Sequence, residues 1–66
     1  MAEPSQMLRF QDQETQKEAL ILLRVVPGAL AVGLSHSEDG DLEVFVPMAE
    51  ARELLKMLHA LLDGLP

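Results

Sequence analysis

The chain has 66 residues, of which 48% are hydrophobic and only 3% aromatic, with no cysteine and with eleven acidic against five basic side chains for a formal charge of −6. A chain this short holds one domain and buries roughly 60% of the surface that its unfolded form exposes; disulfides and thiolate zinc sites are excluded as supplements, which makes self-association the leading one. The negative charge repels phosphates, and Arg9, Lys17, Arg24, Arg52 and Lys56 are scattered rather than clustered, so nucleic acid is disfavoured as a ligand and a basic protein surface is the natural complement.

The start MAEPSQM lacks the basic region, apolar run and small-residue cleavage site of a signal peptide, and every apolar run falls short of the ~20 residues that span a bilayer. The expectation is a cytoplasmic protein that does not enter membranes. Residues 1–18 are polar and rich in Gln and Glu apart from Met7, Leu8 and Phe10, and they sustain neither a period of 2 nor one of 3.6. They read as a flexible polar N-terminal arm, with a short strand at Met7 to Gln11 supported only by the alternation of Leu8 and Phe10 with Arg9.

Residues 19–66 read as a single β-β-β-α domain. The segment ALILLRVV, Ala19 to Val26, is β-branched at Ile21, Val25 and Val26 and runs into Pro27-Gly28, which suit the two central positions of a type II turn. This favours a strand; the alternative is a helix from Thr15 through Leu23, with Thr15 as N-cap and Lys17, Glu18, Ala19 and Leu20 as good formers. Ala29 to His36 alternates, with Leu30, Val32 and Leu34 on one face and Ala29, Ala31, Gly33 and Ser35 on the other. After the turn residues Ser37-Glu38-Asp39-Gly40, alternation resumes with Leu42, Val44 and Val46 against Asp41, Glu43 and Phe45.

Pro47 stops that strand and suits the first turn of a helix. From there the spacing changes: Ala51, Leu54, Leu55, Leu58, Leu61 and Leu62 form a helical stripe opposite Glu50, Arg52, Glu53, Lys56, His59 and Asp63. Gly64 is expected as a C′ stop, with Pro66 beyond it. The fold class is therefore α+β, a small antiparallel β-meander of two or three strands packed by one C-terminal amphipathic helix over the face of Leu30, Val32, Leu34, Leu42, Val44 and Val46.

One helix covers one face, whereas the strand from Leu20 to Val25 is apolar on both. Leu20 and Leu22, with Phe45 pointing away from the helix-covered face, accordingly mark a subunit or partner interface. The acidic hairpin of Glu38, Asp39, Asp41 and Glu43 adds a docking site for a basic partner; its spacing and flanking strands do not fit an EF-hand.

Chemistry-bearing residues are few. His36 beside Ser35, Ser37, Glu38 and Asp39 reads as turn polarity rather than as a catalytic base, and His59 with Asp63 supplies two of the four ligands that a metal site needs. Met48 and Met57 at helical spacing read as core filler. No cofactor is implied. The expected function is that of a small acidic non-enzymatic protein-interaction factor, an inhibitor, adaptor or antitoxin/immunity-type regulator acting as a homodimer; the alternative is a dimeric nucleic-acid-binding transcription regulator that presents Arg9, Lys17 and Arg24 on one surface.

Overall fold

A computed structural model describes residues 4–65; the first residues of the expected arm, 1–3, and Pro66, expected beyond the helix stop, lie outside the described residues. Four strands, β1 (Ser5–Gln11), β2 (Glu18–Val26), β3 (Ala29–His36) and β4 (Gly40–Pro47), precede one helix, α1 (Met48–Asp63). The strands form an antiparallel sheet in the order β1-β2-β3-β4.

The sheet thus has four strands rather than two or three. Ser5–Gln11, read as part of the arm, pairs along β2 with Met7 opposite Leu22, Leu8 opposite Ile21 and Phe10 opposite Ala19. Its local pattern is too short to declare a strand, and the pairing is carried by the apolar partner that β2 offers on both faces.

The helical alternative for residues 15–23 is replaced by a loop and then strand. The Asp12 side chain accepts from the Glu14 N–H at 2.8 Å, Thr15 Oγ1 accepts from the Lys17 N–H at 3.2 Å, and Gln16 takes a left-handed φ of 64°. Short polar side chains that bond to nearby amides favour turns over helix interiors.

Cross-strand register sorts the side chains into two faces. Leu8, Phe10, Ile21, Leu23, Val25, Leu30, Val32, Leu34, Leu42, Val44 and Val46 share the front; Met7, Arg9, Leu20, Leu22, Arg24, Ala31, Gly33, Ser35, Asp41, Glu43 and Phe45 share the back. The β2–β3 and β3–β4 turns each use a glycine in left-handed backbone, Gly28 at φ 75° and Gly40 at φ 90°.

A Cβ at Gly28 would meet nothing within 4 Å, so Gly28→Ala carries only the cost of placing a side chain at positive φ. That cost is about 1–2 kcal/mol, read as a lower urea midpoint at unchanged slope. Unaltered stability would contradict the left-handed turn.

Pro47 closes β4 as the helix N-cap at φ −54°, ψ 148° rather than inside the first turn. It occupies an edge strand, where its lack of a donor costs no ladder bond. The Met48 N–H donates to the Gly28 carbonyl at 3.1 Å, which fixes the start of α1 to the β2–β3 turn. The helix ends as expected after Asp63, but Gly64 is right-handed at φ −85° and the Leu65 N–H donates to the Leu62 carbonyl at 3.2 Å, so the stop does not use the left-handed glycine geometry.

From that anchor α1 runs over the front face and touches only β3 and β4. Strands about 4.8 Å apart and a helix about 10 Å wide mean that one helix spans about two of four strands, and even on β3 and β4 Leu34, Leu42 and Val44 stay exposed. Among the described residues only Ala19 and Ala31 are buried hydrophobics, no large side chain is fully enclosed, and no residue of α1 is buried. No helix among them is long and apolar enough to cross a membrane.

Candidate functional site

The largest concavity, about 670 Å³, lies between α1 and the front of the sheet. Ala51, Leu54, Leu55 and Leu58 form its helix wall, and Leu8, Ile21, Leu23, Leu30, Val32 and Leu34 its floor. The groove exists because the helix is tethered directly to β4 and stands over one side of a sheet that β1 has widened. Toward its open end Leu42 is 62% exposed, and Leu61 on the last turn of the helix is 70% exposed. Met57, expected as core filler, is likewise exposed, because the helix has no neighbour on that side.

The back face gathers five of the residues read as a partner site: Leu20, Leu22, Phe45, Asp41 and Glu43. Gly33 leaves a depression of about 310 Å³ beside Leu20 and Leu22, rimmed by Ser35, Asp41 and Glu43. Next to it the Arg24 guanidinium lies 5.9 Å from the Phe45 ring centroid and its Nη2 is 3.2 Å from Glu43 Oε2. Arg24 and Phe45 flank Ala31, which is 0% exposed, so an aromatic ring that is itself 57% exposed is held by a cation on one side and a small residue beneath. Ser35 Oγ donates to Asp41 Oδ1 at 2.6 Å.

Glu38 and Asp39 stand at the end of the sheet in the β3–β4 turn rather than on the back face. Glu38 lies 3.5 Å from Lys17 Nζ. Asp39 approaches His36, whose side chain is the centre of a small polar latch. His36 Nδ1 accepts from the Glu38 and Asp39 N–H groups at 3.2 and 3.4 Å. An acceptor Nδ1 leaves the ring proton on Nε2, which donates to Thr15 Oγ1 at 3.1 Å, with Asp12 Oδ2 at 3.4 Å.

This geometry resembles a hydroxyl–imidazole–carboxylate relay in composition but not in direction. A base must present an unprotonated Nε2 to the hydroxyl, whereas here Nδ1 is taken up by two amides. His36 ties the β1–β2 loop to the β3–β4 turn. The Asp12 carboxyl is held below its usual 3.8, chiefly by the Glu14 N–H, against an opposing effect of desolvation, with the Thr15 N–H and His36 adding to the lowering. Its support of the loop is therefore present above the ordinary carboxylate range and is lost as pH falls through the lowered value.

His59 and Asp63 are both exposed on α1, and among the described residues no group of three or more His, Asp or Glu is placed to hold a metal ion. Compared with family models, with curated proteins and with solved structures, the chain matches none.

Leu20, Leu22, Asp41, Glu43 and Phe45, expected at an interface, share the back face, whereas the front face, expected as closed core, is open. The alternation of Leu8 and Phe10 with Arg9 is the signal for β1, which adds those two side chains to the open surface; the exposure of Leu34 and Leu42 on β3 and β4 has no local signal.

Proposed function

We propose that the chain is a small acidic, non-enzymatic protein-interaction factor, of the inhibitor, adaptor or antitoxin/immunity type, that works as a homodimer and binds a protein partner through the back of its sheet. The observation that supports this reading is the Phe45 platform: an exposed ring braced by Arg24 and Ala31 beside the Leu20/Leu22 depression and its Asp41/Glu43 rim. An aromatic anchor next to a pocket with a charged rim is the arrangement that concentrates binding energy in protein interfaces. With a net charge of −6, the fitting partner carries an apolar knob surrounded by Lys and Arg.

The test is affinity capture from cells that express the chain, with wild-type and Phe45→Ala proteins as parallel baits. A basic protein held by the wild type and released by rising salt should bind the variant about 30-fold more weakly, the loss of one hot spot of about 2 kcal/mol. Identical retention on the two baits, or retention on neither, would contradict the reading.

The nucleic-acid alternative relies on Arg9, Lys17 and Arg24. Arg9 lies 3.2 Å from Glu18, Lys17 3.5 Å from Glu38 and Arg24 3.2 Å from Glu43, so each already has a carboxylate beside it, and no observation favours that reading.

A further inference from the structure

We infer that the front groove is filled by a second copy of this chain, each α1 laying its C-terminal turns, with Leu58, Leu61 and Leu62, over the open end of the other copy's sheet at Leu8, Phe10, Leu34 and Leu42. This rests on the homodimer proposed above and assigns its interface to the front face, which leaves the Phe45 platform of both copies free for the protein partner.

Three quantities carry the assignment. First, the chain exposes 5558 Å², roughly 1,400 Å² more than the about 4,200 Å² of a folded monomer of this mass, and its Cα radius of gyration is 13.5 Å against about 11 Å for a compact chain of this length. The excess surpasses the about 800 Å² per partner that a stable interface buries. Second, the uncovered surfaces are complementary in form. One is a helix end with Leu61 and Leu62 exposed; the other is the end of the sheet away from the start of α1, with Leu8, Phe10, Leu34 and Leu42 exposed. Third, Leu8, Ile21, Leu34 and Leu42 form one register row across all four strands, and the helix of the same chain leaves Leu8, Leu34 and Leu42 exposed.

A two-fold axis satisfies both surfaces in both copies at once, because an isologous contact repeats the helix-on-sheet pairing in reverse. Since both copies are acidic, their contact must be apolar and must hold or tighten as salt rises, opposite to the behaviour expected of a basic partner.

The cysteine-free sequence allows a clean proximity test. His59→Cys carrying a spin label is mixed with isotope-labelled wild type, so that broadening reports contacts between chains only. The result expected is broadening of the Leu8, Ile21 and Leu34 methyls, together with a halved molar mass for Leu61→Glu, a change at a site that is 70% exposed in the single chain. Should Leu61→Glu unfold, the broadening in the wild-type mixture still decides. Broadening at Leu20 and Leu22 would place the dimer on the back face and overturn the inference while leaving a homodimer. Absence of broadening, with a monomeric wild type, would overturn both and give the groove to another occupant.

Discussion

Replacing Leu58 with alanine lowers stability by about 2–5 kcal/mol, the cost of deleting a buried leucine side chain and leaving a cavity. The size of that loss is informative because Leu58 is 47% exposed when one chain is considered alone. A half-exposed leucine on an isolated helix face would cost far less, and surface substitutions usually stay within about 0.5 kcal/mol. The full loss appears only if a second surface closes on the helix. Urea unfolding of wild type and variant at one fixed protein concentration reads it, since stability and assembly are linked by mass action. A change below about 0.5 kcal/mol would show that the helix face remains open in solution.

The second expected effect lies on the opposite side of the sheet. Ala31→Leu forces three extra carbons into a position that is 0% exposed, under Arg24 and Phe45. Overpacking of this kind costs about 1–3 kcal/mol, and here the strain has an outlet because the Phe45 ring can lift away from the sheet. The expected outcome is therefore a destabilisation in that range, together with a shift of the Phe45 ring resonances and weaker binding of the captured partner. A variant as stable as wild type, with unshifted ring signals, would mean that Ala31 is not the floor of the platform.

Much of the architecture was legible from local chemistry. Pro27-Gly28 and Asp39-Gly40 marked two of the three hairpins, and the change from alternate to every-third-or-fourth apolar spacing after Pro47 located α1 at Met48–Asp63. Period 2 also put Phe45 on the face away from Leu42, Val44 and Val46, as the register confirms. What the sequence hid was non-local. Ser5–Gln11 has little strand character of its own and becomes β1 through pairing with Leu22, Ile21 and Ala19.

That added strand changed the fate of the front face. β1 adds Leu8 and Phe10 to the open surface, while Leu34 on β3 and Leu42 on β4 are open because α1 leaves that end of the sheet uncovered. The acidic hairpin was partly misread for a similar reason: Glu38 and Asp39 are drawn to Lys17 and His36 at the sheet end, because the β1–β2 loop lies beside them in space and not in sequence.

Every one of these points bears on a single question, whether the chain closes its apolar groove with a copy of itself. Molar mass by light scattering across a dilution series answers it most directly. A mass near 14.6 kDa, twice the 7.3 kDa of one chain, that persists on dilution and in high salt is the expected result. A folded species of 7.3 kDa at all concentrations would contradict the dimer and leave the groove between α1 and the sheet as an open surface for a different partner.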